Sequence, residues 1–388
     1  MFKKLVLSIT LITSIYGADS NDFLDQQMKD FNNYKTSQEE GFKAYKKAQE
    51  KAFNDYKKEI GAVWEDPKLS SKKNWLSYSK DKKTRSDVDF NKQYITVETV
   101  ASSADEAKAN LQMALAKTVT IDTKTVQKTD PLEVRLSKIK KPDGMVTSKV
   151  DEKPILSTVV FDKSPTQKSV KKYINKNISN STIKVKKSSK IKHAKIYSVR
   201  VKLPKDTMIK RSKVYYNEVK LNAKKQKLPI SLVYAIMHSE SSFNPRARSH
   251  IPAYGLMQIV PKTAGRDTYK YLYKKDKLVS GSYLYNSTNN IKMGSAYLHI
   301  LYYKYLKKIK DPDARLYCTI AAYNTGAGNI AYAFTKKYNM NKAAPLINKL
   351  TAKQVYNKLM KDLRWDEPKH YLKKVSSRMS AYHRVYGS

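Results

Sequence analysis

The chain has 388 residues, enough for two domains with their own cores, and its 40% hydrophobic content excludes wholesale disorder. Its 76 Lys and Arg against 34 Asp and Glu give a formal net charge of +42, which fits a polyanionic neighbour: a carboxylate-bearing wall polymer, an anionic membrane surface or nucleic acid. The basic residues spread along the whole chain without zinc spacing, an aromatic RNA-binding motif or a helix-turn-helix, so no nucleic-acid partner is expected.

The first residues read as a secretory signal, 1–18. Lys3 and Lys4 precede an apolar run, Leu5 to Tyr16, too short to span a bilayer comfortably, and cleavage after Ala18 follows from Gly17-Ala18. An uncleaved anchor is the alternative. The single cysteine, Cys318, excludes an internal disulfide, and its apolar flanks predict a buried small residue. With no cysteine at the signal boundary, no lipid anchor is expected there.

Residues 19–65 form a helical segment, read as one helix over Asp22 to Val63. Phe31, Phe42 and Phe53 recur every eleven residues, as do Tyr34, Tyr45 and Tyr56, and three turns at about 3.67 residues each keep them on one face. That face packs on its own protein, or serves a partner helix or a spacer from the membrane. Glu65-Asp66-Pro67 ends the helix, and a small α+β domain follows over 66–204. Val88, Phe90, Ile95 and Val97 alternate around Asn91-Lys92 as a hairpin. Ala107, Leu111 and Leu115 mark a helix over Ser103 to Lys117, and Val170 to Ile178 is a second, shorter one. Leu132 to Ile139, Ile155 to Phe161 and Thr182 to Val185 are short strand candidates, and Tyr197, Val199, Val201 and Leu203 alternate in a further strand. Beyond Pro204-Lys205 the pattern is helical with short loops, giving an all-α domain over 205–388; the fold class is α+β.

Within that last domain, Ser231 to Ser239 reads as an amphipathic helix entered after Pro229, with Ser231 as its cap. Val233, Ile236 and Met237 make an apolar stripe, and Glu240 falls on it. A carboxyl aimed into an apolar face is desolvated and keeps its proton to higher pH, as a general acid requires. A buried structural Glu paired with Lys or Arg fits the position equally well. His238 projects about 160° away and is expected at the surface. The other histidines, His193, His250, His299, His370 and His383, show no ligand spacing, so neither metal nor cofactor is expected.

Three segments in order, Glu240-Ser241-Ser242-Phe243-Asn244-Pro245, Gly255-Leu256-Met257-Gln258-Ile259 and Ala321-Ala322-Tyr323-Asn324-Thr325-Gly326-Ala327-Gly328, resemble motifs of the soluble lytic transglycosylase domain. Glu367 to Leu372, with Tyr371, is similar to that family's last motif, with Lys or His where the family has Arg. Upstream, Lys80 to Val100 and Lys195 to Leu203 resemble the N-terminal domain of the membrane-bound lytic murein transglycosylase C family, more loosely through Thr118 to Lys190. The resemblance implies a goose-type lysozyme fold and a lyase acting on peptidoglycan glycan strands, in the periplasm or at the wall. It implies Glu240 as the acid and then the base, with Ser241 orienting its carboxylate or the substrate's N-acetyl group. Gly255 would let the backbone approach a sugar, Met257 and Gln258 would line the groove, Tyr323 would set its hydroxyl near the reacting ring, Asn324 would bind sugar or hold the loop, and Tyr371 would close the other wall.

A two-carboxylate glycosidase needs a second acid across the bond, and the three best motifs hold only Glu240. Asp267, the nearest candidate, reads as a surface residue or helix cap. One carboxyl suffices when the substrate supplies the nucleophile. The reaction the family implies protonates the bond after N-acetylmuramic acid and closes a 1,6-anhydro ring with the sugar's own 6-hydroxyl, so a tethered group replaces water. A muramidase of the same fold and a non-enzymatic wall-binding scaffold are the alternatives.

Overall fold

The computed structural model describes residues 19–179, 182–249 and 252–387. The signal assigned to residues 1–18 and His250 lie outside them. Two compact units divide the chain: one runs to Lys51 and takes in Ile139–Asp143, and the other comprises Ala52–Lys138 and Gly144–Ser388. Among the described residues no helix is long and apolar enough to cross a membrane.

Helix α1 spans Asp19–Gly61. In the smaller unit Tyr45 is buried, and Gly41 lies against Pro142 of the Ile139–Asp143 segment. In the larger unit the last turns of α1 bury Tyr56 and Ile60, and Trp64 follows them. The bland reading of the aromatic face therefore holds for its C-terminal part: it packs on its own protein.

The larger unit opens with a five-stranded antiparallel sheet in the order β1-β2-β3-β5-β4. Its strands are β1 (Asn74–Tyr78), β2 (Thr84–Asp89), β3 (Tyr94–Ala101), β4 (Lys184–Lys187) and β5 (Lys195–Lys202). The predicted hairpin is β2–β3, in register Val88↔Ile95, with Asp89 Oδ1 accepting from the backbone of Asn91 and Lys92 in its turn. One face buries Val88, Phe90, Ile95, Val97, Val199 and Val201 under α2 (Ala104–Thr120) and the short elements after it. The other buries Leu76, Tyr78, Val100 and Ile196 against Tyr56, Ile60 and Trp64. The Trp64 indole donates to Lys82 O at 2.7 Å, and Arg85 stacks over its ring.

Two predicted strands are helices. After α3 (Thr123–Thr129), the stretch read as a strand over Leu132 to Ile139 is helical as far as Ser137, in α4 (Pro131–Ser137), started by Asp130 as cap and Pro131 in the first turn. Ile155 to Phe161 contains the single turn α5 (Ser157–Val160). The Val170 helix is α6 (Gln167–Asn177), and the Thr182 strand begins at Lys184.

After β5 the chain is helical: α7 (Thr207–Lys213), α8 (Tyr216–Gln226), α9 (Ile230–Ser241), a wide turn at Pro261–Gly265, α10 (Arg266–Tyr273), α11 (Gly281–Tyr285), α12 (Ser287–Ile300), α13 (Pro312–Thr325), α14 (Ala327–Thr335), α15 (Met340–Ile347), α16 (Ala352–Asp362) and α17 (Asp366–Tyr386). Helix α9 is not amphipathic. Every residue from Ser231 to Met237 is buried, so it is the central helix of the core, and Pro229, not Ser231, precedes its first residue as the cap. Helix α17 packs along it, with the Tyr234 ring stacked on Tyr382 and Tyr386 at 5.4 and 4.4 Å. His238 is consequently not at the surface: its Nδ1 lies 3.1 Å from the Tyr382 hydroxyl, and burial, then Arg378 and Lys73, push its pKa down to about 3. Cys318 is fully buried in α13.

Candidate active site

Glu240 occupies the last turn of α9, where Ser242 and Phe243 take left-handed φ values of 51° and 59° and end the helix. Its side chain is nearly buried, with 7% of the residue exposed, so it still meets solvent. Burial raises its pKa; Lys72, the Tyr371 hydroxyl and Lys73 oppose that rise, and Glu367 adds to it. Among the described residues no Lys or Arg comes within ion-pair distance of Glu240. A buried carboxyl neutralised by a bound cation would be a structural group. Glu240 has no such partner, and burial raises its pKa.

The Gly255–Ile259 turn lies beside it. Tyr254 and Ile259 pair across its neck at 3.1 and 3.2 Å, and Asn290 of α12 holds it from beneath. Asn290 Nδ2 donates to Tyr254 O and Leu284 O, both at 2.8 Å, and its Oδ1 accepts from Met257 N at 2.8 Å. Gly255, at φ 74°, sits so close to this brace that a Cβ would lie 2.5 Å from Asn290 Nδ2 and 2.6 Å from Leu284 O. The glycine thus serves the protein's own packing, a different need from the sugar approach read from sequence. Met257 likewise departs from its predicted place lining a groove. Its side chain is fully buried over Gly294, where a Cβ would meet Sδ at 2.2 Å. Gln258, at φ 50°, donates from Nε2 to Gly255 O at 3.1 Å, and its Oε1 has no protein partner.

Ser241 is fully buried, with its hydroxyl 2.8 Å from Leu256 O and 3.0 Å from Met237 O. It ties α9 to the turn, in place of the orienting contact to Glu240 or substrate that the resemblance implied. Tyr323, near the end of α13, donates to Met257 O at 2.8 Å and packs edge-on against Tyr297 at 5.5 Å. Tyr371, on the second turn of α17, sets its hydroxyl beside the Glu240 carboxyl, buried and without a close hydrogen bond. Burial, then the Glu240 charge, hold both phenols well above their usual range, so they stay protonated donors. Asn324 is half-buried and makes a long contact, 3.4 Å, from Nδ2 to Glu367 Oε1. Asp267 is exposed at the start of α10 and accepts from the Tyr305 hydroxyl at 3.1 Å.

Sequence reading missed Asn290, which has no motif of its own, and the charged groups around Glu240. Lys72 and Lys73 come from the segment leading into β1, and no spacing in the sequence connects them to α9. Glu367 was visible only as the start of the last motif. It is exposed, and its charge reaches Glu240. Among the described residues no group of His, Cys, Asp and Glu is placed to hold a metal ion.

The family model described as the transglycosylase SLT domain matches residues 218–345, and that of the membrane-bound lytic murein transglycosylase C N-terminal domain matches residues 35–214. Membrane-bound lytic murein transglycosylase C of Klebsiella pneumoniae subsp. pneumoniae is 33% identical over 318 residues, covering 81% of this chain and 83% of that one. The protein of the same name from Serratia proteamaculans is 31% identical over 318 residues, covering 81% of this chain and 84% of its own. The solved 70 kDa soluble lytic transglycosylase of Escherichia coli matches 47% of this chain and 26% of that one at 25% identity, with a TM-score of 0.36. On the identity and coverage of the curated relatives, the chain belongs to the membrane-bound lytic murein transglycosylase C family.

Proposed function

We propose that this peptidoglycan lytic transglycosylase works through Glu240 alone as acid and base. The supporting observation is a nearly buried carboxyl with a raised pKa and no cation bound to it. Glu240 gives its proton to the oxygen bridging N-acetylmuramic acid and N-acetylglucosamine, and the bond from C1 to that oxygen breaks. The neighbouring N-acetyl oxygen bears the charge developing at C1. The carboxylate then removes the proton of the same sugar's 6-hydroxyl, and O6 bonds to C1. The proton returns to Glu240, no water is consumed, and the product ends in a 1,6-anhydro ring. The Tyr371 hydroxyl stands beside the acid, the Tyr323 hydroxyl is committed to Met257 O at 2.8 Å, and Gln258 Oε1 is a buried acceptor without a protein partner.

Mass analysis of digested peptidoglycan tests this. Wild type is expected to release anhydro-ended muropeptides, and Glu240→Gln, which keeps the shape but has no proton to give, to release essentially none. One observation favours hydrolysis as a second reading: Glu367 is a second carboxyl near Glu240. Reducing ends in the same digest would establish it and defeat the anhydro mechanism. For location, the signal-like residues 1–18 support export to the periplasm, and the +42 charge suits contact with an anionic wall or membrane surface.

A further inference from the structure

Lys73 stands just before β1, far from every motif, yet its ammonium donates to Ser239 O at 2.7 Å and His238 O at 3.1 Å. These are the two residues immediately before Glu240. Helix α9 ends at this point, so the Ser239 carbonyl has lost its intrahelical partner, and the His238 carbonyl otherwise accepts only from Ser242, its capping N–H at 3.1 Å and its hydroxyl at 3.5 Å. A cation on these carbonyls both satisfies them and meets the negative end of the helix dipole.

The lysine is delivered by a fixed stretch of backbone. Phe90 N donates to Lys73 O at 2.9 Å, Asn74 N to Ser71 Oγ at 3.2 Å, and Arg248 N, beyond the catalytic helix, to Ser71 O at 3.4 Å. Among the described residues Lys73 has no carboxylate within ion-pair distance, so these contacts do not derive from a salt bridge. The charged groups facing it are Arg378, Glu240, Lys72 and Lys374; those facing Glu240 are Lys72, Lys73 and Glu367, with the Tyr371 and Tyr323 hydroxyls. Arg378 reaches only the side chain of Ser239, at 2.9 Å, whereas Lys73 holds the backbone.

We propose that Lys73 is a positioning residue for Glu240: the sheet domain closes the end of the catalytic helix, aims the carboxyl, and keeps a positive charge beside it. The proposal rests on Glu240 being the acid. Burial, then Arg378, push the Lys73 pKa down to about 7, so its charge is present below neutrality and declines above it.

The test is the pH profile of kcat on soluble glycan strands for wild type, Lys73→Met, Lys73→Arg and Glu240→Gln, with melting temperatures alongside. Lys73→Met is expected to lower kcat roughly tenfold with little change in KM, since a cation at a partly buried helix end is worth about that factor. Its alkaline limb, where Glu240 loses its proton, is expected to move to higher pH, because burial then acts on Glu240 with less opposing charge. Lys73→Arg is expected to return the limb toward its wild-type position. A Lys73→Met enzyme that melts earlier but keeps its limb in place overturns the proposal, because a merely structural contact would behave so. If Lys73→Met does not fold, Lys73→Gln against Lys73→Arg carries the same comparison. An inert Glu240→Gln with an unmoved Lys73→Met limb removes this proposal alone; an active Glu240→Gln removes the acid assignment with it.

Discussion

A buried hydroxyl without a partner is uncommon enough to need a reason, and Tyr371 and Tyr323 make a useful contrast. Tyr323 is engaged with Met257 O, whereas the Tyr371 hydroxyl has Glu240 beside it and no close bond. Removing each hydroxyl should therefore act differently. Tyr371→Phe deletes an unsatisfied group, so its stability is expected to stay within about 0.5 kcal/mol of wild type. Its muropeptide release is expected to fall by roughly tenfold or more, because a donor beside the acid is lost. Tyr323→Phe leaves the Met257 carbonyl short of a donor and is expected to cost about 1 kcal/mol in denaturant unfolding. A Tyr371→Phe enzyme with full activity would return that side chain to packing alone. At this scale the motifs marked residues whose packing roles they did not reveal. Ser241 was read as orienting the Glu240 carboxylate or substrate, Gly255 as admitting a sugar and Met257 as lining a groove, whereas their contacts are to Leu256 O, Asn290 and Gly294, across the core. A one-dimensional motif shows that a glycine is required and does not show what it must avoid.

At the level of elements, periodicity failed where runs were short. Leu132 to Ile139 alternates as a strand would, yet Asp130-Pro131 is a helix start, and that local chemistry prevailed. Helix α9 was read as two-faced from the stripe of Val233, Ile236, Met237 and Glu240, with His238 on the opposite side, but α17 covers the side that should have met water. Asp130 also carries a testable electrostatic cost. It ends α3 and caps α4, accepting from Leu132 N at 3.0 Å and Glu133 N at 3.1 Å. Burial, then the Glu133 charge, raise its pKa from 3.8 to about 6. A group raised on folding contributes stability that is fully present below its unfolded pKa and is lost as pH rises through the folded one. The window here runs from about pH 4 to about pH 6. Asp130→Asn keeps a capping oxygen and removes the charge. It is expected to be more stable than wild type by about 1–2 kcal/mol at neutral pH and to lose that advantage below about pH 4. Equal denaturant midpoints at both pH values would show that the cap tolerates its charge.

Across the whole larger unit, sheet and helices are joined by side chains from segments distant in sequence. Arg211 of α7 lies over the Phe90 ring at 3.8 Å and donates to Phe243 O. Lys153 pairs with Glu218 at 2.7 Å, and Val146 exchanges backbone hydrogen bonds with the strand-like stretch at Leu278–Ser280. Arg246, just beyond α9, is held by Glu133 at 2.6 Å and Gln127 at 3.1 Å and stacks on Tyr285 at 3.8 Å. None of this was legible in the sequence, where Gln127 and Arg246 stand 119 residues apart and the +42 charge pointed outward, to a polyanion. The Arg246–Glu133 pair is one of these links and can be broken by itself. Arg246 is 2% exposed and Glu133 15%, so Arg246→Met strands a half-desolvated carboxylate. It is expected to cost about 3–5 kcal/mol, and the double variant Arg246→Met/Glu133→Leu, with no charge left to strand, should recover much of that loss. Because the contacts run without a break from Phe90 to Arg211 to the loop after Glu240, the loss should appear as one transition by near- and far-ultraviolet circular dichroism. Two separate transitions, with the helical part retaining its wild-type midpoint, would mean that the sheet is only an attachment.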